Sequence, residues 1–573
     1  MTGGKVLVLG DDTRSFLAIV RSLGRRGITV HVAPSNFRSP ALRSRYVTAI
    51  HDLPPWMEDG AEWLVAIETL LRSARFDLVI PCTEVTLLPL QRHRERLSAL
   101  TGLAVPDDQA IAVLFDKYET RNLAGRVGVP VAIGRLLRAE DTAEKILTEF
   151  SLPVVVKPRH SYSLHTLASR GKAQVVADPL RLARILTQWE PQAALLEGFF
   201  PGQGVGISLL ANRGRVLQAF QHHRVHELDG ASFYRVSAPL TPDLAQACEG
   251  IVAAIAYTGL AMFEFRRNNA GEWILLEINA RPWGSMPLPL ALGVDFPYRW
   301  YRLLTKGEET QPVAYRSGVY GRNLLPDLRA SIAEAQARLS KFAKASFVIQ
   351  RLAELFRPFS GKEVHDLLVR DDPWPGLVEL GEIFLAAGQR LGRRLPGEIV
   401  WQRRRARARV RAAKNGTDRM VVLFVCQGNI CRSPFAAALL RARMGNSPIV
   451  IQSAGVMPQQ GRQTPDLGQE AAITHGVDLS AHRSTWLTRQ TAETASLLVL
   501  FDETNRAALF DRYPDIETAV VHLGQLAALG DITDPIGGRL ADFQHVFDQI
   551  SKGIEELASL LLTSDQKRRL KTR

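Results

Sequence analysis

The chain has 573 residues, 46% of them hydrophobic and 23% charged. That excludes a disordered or fibrous protein, and the length favours about three or four compact units over one core. The formal charge of +13 invites a nucleic-acid partner, but the arginines concentrate in one stretch and no nucleic-acid module appears, so no specific nucleic acid is expected.

Cys82, Cys248, Cys426 and Cys431 show neither disulfide-framework nor zinc spacing. The start of the chain lacks the pattern of a secretory signal, and no apolar run approaches about twenty residues. A cytoplasmic, reducing location is the expectation.

In chain order, Lys5 to Gly10 reads as a short buried strand, Phe16 to Arg26 as a helix and Ile28 to Ala33 as a second strand. Gly10 alone is too little for a dinucleotide fingerprint. A further strand, Leu78 to Ile80, ends in Pro81-Cys82-Thr83-Glu84, where loops after parallel strands meet ligands; the ordinary role of Glu84 is a helix-start carboxylate.

Beyond Phe115-Asp116-Lys117-Tyr118 comes the strand Pro153-Val-Val-Val-Lys157-Pro158. A lysine ending a buried strand is costly unless its ammonium meets an anion, and phosphate is the simplest partner. Ala194-Leu-Leu-Glu197-Gly198-Phe199 reads as a linker between two sheets whose backbone can pair with an adenine edge.

The sharper pattern is Phe263-Glu264-Phe265 followed by Ile274-Leu-Leu-Glu277-Ile278-Asn279-Ala-Arg281-Pro282. A period of two puts Glu277, Asn279 and Arg281 on one face of a strand, with Glu264 opposite on an antiparallel neighbour. Two carboxylates and an amide oxygen make a hard-oxygen pocket suited to magnesium bridging nucleotide phosphates. The alternative, a solvated polar strand face, sits badly with the apolar flanks.

With Lys117 and Lys157, these residues make about Gly3 to Leu304 resemble the ATP-grasp superfamily. The resemblance implies an α/β subdomain over 1–105, an ATP-grasp domain over 106–310, and ATP with Mg2+. Lys117, Lys157 and Arg281 would contact phosphates, Glu197, Gly198 and Phe199 would hold adenine, and Glu264, Glu277 and Asn279 would bind magnesium. The implied reaction joins a small carboxylate to an amine through an acyl phosphate. His222-His223-Arg224 and Gly230-Ala-Ser232 lie in a stretch that could cover substrate, the histidine pair reading as a surface feature rather than a metal site.

Residues 311–417 read as a mostly helical basic linker ending in the run Arg403 to Arg411. Its default is a solvated helix; together with Phe384 and Leu391 it could rest weakly on an anionic membrane surface.

The most specific stretch follows. Val421 to Val425 reads as a strand buried on both faces, and Pro434 suits the first turn of a helix. Cys426 sits on the loop between, where inward N–H groups and a helix N-terminus form an anion cradle and favour a thiolate. Arg432 can hold a phosphoryl group through two parallel bonds, Ser433 can donate to the sulfur, and Gly428 and Asn429 permit unusual backbone angles.

The full string Cys426-Gln427-Gly428-Asn429-Ile430-Cys431-Arg432-Ser433-Pro434 makes 418–573 resemble the low-molecular-weight protein tyrosine phosphatases. Ser453-Ala-Gly455, Gly461-Arg462, His475 to Ser484, Leu497 to Asn505, Arg512-Tyr-Pro514 and Asp531-Ile-Thr-Asp534-Pro535 follow in the family's order. The resemblance implies Cys426 as nucleophile, Arg432 as clamp on the transferring oxygens and Asp534 as general acid, with the loop Gln427, Gly428, Asn429, Ile430, Cys431 and Ser433 holding phosphate and no cofactor. Ile536-Gly537-Gly538 stands where the family often has tyrosines. Cys431 reads equally as a protective disulfide partner and as a packed small residue.

The whole then reads as a multidomain α/β protein: an ATP-grasp fold with its preceding subdomain, a helical linker and a parallel-sheet α/β/α phosphatase. The resemblance implies a bacterial phosphotyrosine protein as substrate, and a tyrosine kinase as the opposing enzyme. Two alternatives stand beside it: an arsenate reductase built on the same loop, and an ATP-sensing domain that regulates the phosphatase.

Overall fold

In the computed structural model the chain divides into two compact units, Met1–Ile383 and Phe384–Arg573. The structure describes residues 3–562 apart from 11, 13, 58–59, 163, 165–166, 168–170, 172, 188, 229–230, 329–330, 332–350, 352–353, 355–356, 358–360, 393–395, 418 and 446. Gly230, expected in a covering stretch, therefore lies outside the described residues.

The first unit opens on a parallel sheet of β1 (Lys5–Leu9), β2 (Thr29–Ala33), β3 (Val47–Ile50), β4 (Leu78–Pro81) and β5 (Gly102–Leu103), in the order β3-β2-β1-β4-β5. The apolar run in β1 is continuous because both faces are covered. Val6 and Val8 pack with Phe16, Leu17 and Val20 of helix Ser15–Arg25, while Leu7 and Leu9 pack with Trp63, Leu64 and Ile67 of helix Ala61–Ala74.

A small antiparallel sheet, β6 (Gly134–Leu136), β7 (Val154–Pro158), β8 (Gln174–Val176) and β9 (Ala194–Gly198), runs in the order β6-β9-β7-β8. The largest sheet holds β10 (Gln203–Asn212), β11 (Arg215–Leu228), β12 (Ala231–Ala238), β13 (Gly259–Arg267), β14 (Trp273–Asn279), β15 (Tyr320–Arg322) and β16 (Glu363–His365), in the order β14-β13-β10-β11-β12-β15-β16. Its register sets Glu277 opposite Glu264, Glu264 opposite Gly206 and Gly206 opposite His222, so one row of one face runs across four strands.

Glycine is needed in that row. A Cβ on Gly206 would lie 2.3 Å from the His222 ring, and one on Gly204 2.6 Å from Arg224 Cδ. The two side chains lie over bare backbone, which lets Arg224 on β11 pair with Glu264 on β13. His222 is thus buried in the sheet. Its expected surface role is corrected, because the glycines opposite it made room that its own neighbours in sequence do not reveal.

In the second unit, β17 (Val421–Cys426), β18 (Val450–Gly455), β19 (Leu497–Leu500) and β20 (Ala519–His522) form a wholly parallel sheet in the order β18-β17-β19-β20. Val422 and Phe424 pack toward helices Arg432–Met444 and Leu540–Leu561; Leu423 and Val425 pack toward the opposite face. The strand order reverses at β17, and the crevice at its carboxyl end is where a parallel sheet of this kind presents ligands. Cys426 ends that strand.

The expected linker over 311–417 is corrected, since it is not one element. β15 and β16 extend the first unit's sheet, and Asp366 and Asp372 pair with Arg235 and Arg21 in its interior. Helix Pro396–Asn415 instead belongs to the second unit: Ala406 and Val410 are buried in its core, Arg403 donates to the Leu526 carbonyl at 3.0 Å, and Arg403 and Arg407 both pair with Glu556. Among so many arginines, two small apolar residues four apart were enough to make a core face. Arg404, Arg405, Arg409 and Arg411 are exposed, and the side chain of Leu391, on which the membrane reading also drew, lies outside those described. Among the described residues no helix is long and apolar enough to cross a membrane.

Candidate functional sites

The loop after β17 closes around the Cys426 sulfur, which is buried. The Asn429 N–H donates to it at 3.3 Å, and the Ser433 hydroxyl lies 3.0 Å away. Asn429 organises this turn. Its φ of 52° is left-handed, a region asparagine tolerates better than most residues. Its Nδ2 donates to Ser433 Oγ at 2.8 Å, its Oδ1 accepts from the Thr485 N–H at 2.7 Å, and its carbonyl lies 2.7 Å from His482 Nε2. Burial holds His482 below its ordinary pKa, which suits a neutral ring whose Nε2–H donates to that carbonyl. Gly455 closes the other side, because a Cβ there would lie 2.9 Å from the Asn429 nitrogen and the Gly428 carbonyl carbon.

Arg432 begins helix Arg432–Met444 and is almost wholly buried. It donates to the Ile532 carbonyl at 2.9 Å and to Asp534 Oδ2 at 2.6 Å, and pairs closely with Asp502; its Nε has no hydrogen-bond partner. Burial alone would disfavour this cation, but Asp534, Cys426 and Asp502 outweigh it and raise its pKa. Cys431 is raised too, chiefly by burial and then by the charge of Cys426, so it is held as a thiol.

In the first unit a cavity of about 230 Å³ is lined by Lys117, Lys157, Glu197, Glu277, Asn279 and Arg281 on its polar side and by Ile111, Phe115, Val131 and Leu275 on its apolar side. Lys157 Nζ pairs with Glu197 Oε2 at 2.7 Å, and Lys117 Nζ donates to Ser161 Oγ at 2.7 Å. Asn279 Nδ2 donates to Glu264 Oε1 at 3.1 Å and to Glu277 Oε1 at 3.3 Å. Burial raises the Glu264 pKa, Arg224 opposes that, and the nearby Glu277 adds to it.

A family model described as "Low molecular weight phosphotyrosine protein phosphatase" matches residues 421–568. A probable low molecular weight protein-tyrosine-phosphatase EpsP of Ralstonia nicotianae is 33% identical over 134 residues, covering 23% of this chain and 90% of that protein. By that region, the chain belongs to the low molecular weight protein-tyrosine-phosphatase family.

Also similar is a protein-arginine-phosphatase of Geobacillus stearothermophilus, 31% identical over 144 residues, which are 25% of this chain and 96% of that one. A second model, "ATP-grasp in the biosynthetic pathway with Ter operon", matches residues 190–324. Among solved structures, an L-amino acid ligase from Bacillus licheniformis aligns at 18% identity over 56% of this chain and 79% of that one, with a TM-score of 0.43. The two family models alone place an ATP-grasp region and a phosphatase region in one chain.

The phosphatase loop gathers Cys426, Gln427, Gly428, Asn429, Ile430, Cys431, Arg432 and Ser433 in one turn, and Asp534 reaches it through Arg432. Asp502, His482 and Thr485 also hold the site. Asp502 and His482 were visible only as members of recurring family segments and Thr485 not at all, since their partners lie 50 to 70 residues away.

In the ATP-grasp domain, Glu197 lines the cavity but Gly198 and Phe199 do not. Their N–H groups bond to the Ile133 and Pro153 carbonyls at 2.9 and 3.3 Å, so those two donors are engaged in this structure. Glu84 does start a helix, and it also pairs with Arg281 at 2.8 Å. Glu264, Glu277 and Asn279 converge as the register required. Their chemistry fits a hard dication, which would replace the two hydrogen bonds of the Asn279 amide; among the described residues no group of three or more His, Cys, Asp or Glu does so.

Proposed function

We propose that the phosphatase domain hydrolyses phosphotyrosine in proteins through a phosphocysteine. The Cys426 thiolate attacks phosphorus, the S–P bond forms as the P–O ester bond breaks, and Asp534 gives its proton to the departing phenolate oxygen. Asp534 then takes a proton from water, whose oxygen displaces sulfur and releases inorganic phosphate. Arg432 balances charge on the transferring oxygens through its fork, including the Nε that lacks a partner.

The observation that carries this reading is that the buried sulfur accepts from the Asn429 N–H and lies 3.0 Å from the Ser433 hydroxyl, while Arg432, whose charge Cys426 helps to hold, donates to the Asp534 carboxylate. The test is p-nitrophenyl phosphate turnover by the full chain. Cys426→Ser should abolish it, by at least about a thousandfold, and Asp534→Ala should lower it about a hundredfold; undiminished turnover in the serine variant refutes the nucleophile.

Phosphoarginine is a second reading, supported by the similarity to a protein-arginine-phosphatase. Ile536, about half exposed at the site mouth, supplies no ring for a phenol to stack on. Matched phosphotyrosine and phosphoarginine peptides separate the two by kcat/KM.

For the ATP-grasp domain the reading is ATP-dependent ligation of a carboxylate to an amine. Glu264, Glu277 and Asn279 would hold magnesium, which when bound neutralises charge between nucleotide phosphates. Lys117, Lys157 and Arg281 contribute fixed positive charge, and the apolar wall suits a base. ADP release that depends on an added acid and amine supports ligation; ATP binding without acid-dependent turnover favours a sensor.

A further inference from the structure

The sheet face that carries Glu264 and Glu277 continues into an arginine-rich region that the ATP and magnesium reading does not use. Arg224 and Arg235 are cross-strand partners on β11 and β12 and share that face. Arg224 is engaged with Glu264. Arg235 is fully buried, and its Nη2 donates to Asp366 Oδ1 at 2.5 Å. Among the described residues its Nε and Nη1, and the second oxygen of Asp366, have no partner.

Arg14, at the start of helix Ser15–Arg25, reaches the same place. Its guanidinium lies 5.4 Å from the ring centre of Phe233, two residues before Arg235 on the same strand. Gly284 is a second neighbour: a Cβ there would lie 2.5 Å from the Arg14 Nη1, so the guanidinium rests close against that backbone. Burial lowers the Arg14 pKa; Asp12 and Asp366 resist that, and Arg235 and Arg281 add to it. His222, with Nδ1 unpartnered, is pushed well below its ordinary value by burial and by Arg224 and Arg235. Cationic donors converge here with too few carboxylates, and buried donors without partners are costly.

This group is distinct from the magnesium carboxylates. In the sheet order β12 lies three strands from β13, roughly 14 Å at about 4.8 Å per strand. Arg235 also leans toward Asp366, which follows β16 on the far side of β12, rather than toward Glu264.

We propose that Arg14 and Arg235 bind a second oxyanion of the acceptor, with Asp366 accepting from a donor beside it, so that the acid activated beside Glu264 and Glu277 carries an anionic group at each end. The distal group is a carboxylate or phosphate next to a hydroxyl or amino donor for Asp366. The proposal rests on the reading of this domain as a ligase.

The test measures ADP release by the full chain from MgATP and an amine, with matched monocarboxylic, dicarboxylic and phosphorylated carboxylic acids. Cys426→Ser is the background, so that the phosphatase domain does not consume the probe. Doubly anionic acids should stimulate release and monocarboxylates should not, and preference between the two doubly anionic arms identifies the distal group. Arg14→Met should raise KM for the acid by about ten- to a hundredfold without a matching change in KM for ATP, and Arg14→Lys should restore part of it. Arg235→Met should act in the same direction. Equal stimulation by monocarboxylates, or an unchanged acid KM in Arg14→Met, overturns the proposal.

If no acid elicits ADP release, the ligase reading fails separately. Equilibrium dialysis with labelled malate and 3-phosphoglycerate then decides the oxyanion site. Binding by the parent protein that Arg14→Met abolishes supports it; no binding, or binding that the variant retains, overturns it.

Discussion

The phosphatase loop and the ATP-grasp cavity both concentrate positive charge for phosphoryl oxygens, but they are assembled on different scales. In the loop, the sulfur, the donors around it and the guanidinium all come from Cys426 to Ser433, one turn after one strand. In the cavity, Lys117, Lys157, Glu197, Glu277, Asn279 and Arg281 arrive from several strands and a helix, and their positions depend on cross-strand register. A locally built site fails by losing one atom or one backbone angle. A site built by register fails by losing charge balance among several side chains.

The sharpest test of the local site is Arg432→Lys, which keeps the charge and removes the fork. Turnover of p-nitrophenyl phosphate should fall by about a hundred- to a thousandfold, with KM changing less; a loss under tenfold would mean that charge alone suffices.

Next comes Glu277→Gln in the ATP-grasp domain. Acid-dependent ADP release should fall about tenfold or more, with a higher magnesium requirement, if Glu277 is one of two carboxylates that would hold a dication. An unchanged magnesium titration would remove Glu277 from the metal site.

The comparison also extends to stability. Val410→Asp puts an unpaired charge into the phosphatase core and should cost about 3–5 kcal/mol there. Glu556→Gln, which loses two partly exposed ion pairs, should cost about 1 kcal/mol or less. Chemical denaturation followed by phosphatase activity reads both. Equal effects would mean that helix Pro396–Asn415 is held by charge rather than by its apolar stripe.

The smallest effect is a pH slope. His222 is held well below 6.5 when folded, whereas the unfolded ring takes a proton near that value. Below about pH 6.5 the unfolded state therefore binds more protons, and native stability declines with acidification by up to about 1.4 kcal/mol per pH unit for this group. Above that window both states are neutral and the dependence vanishes. His222→Gln should flatten that part of the slope in the unfolding of the ATP-grasp domain, and an unchanged slope would assign it to other histidines.

The string Cys426 to Pro434 was legible because strand, turn and helix start are local events, and each residue type has a nearby reason to be there. Glu264, Glu277 and Asn279 were legible for a related reason: a period of two fixes which side chains share a face, and one antiparallel pairing completes the set. The bonds of the Gly198 and Phe199 N–H groups were not legible, because a sequence does not show which carbonyls will claim a backbone donor.

Sequence by itself determined the two fold families, the local turn from Cys426 to Ser433 and the carboxylate row. Only the tertiary structure decided that the arginine-rich helix Pro396–Asn415 is part of the phosphatase core, that Asp502 and His482 brace its loop, and that Arg14 lies over Phe233, two residues from Arg235. Local patterns carry the first group because backbone geometry repeats over a few residues. The second depends on which distant surfaces burial and charge pairing bring into contact.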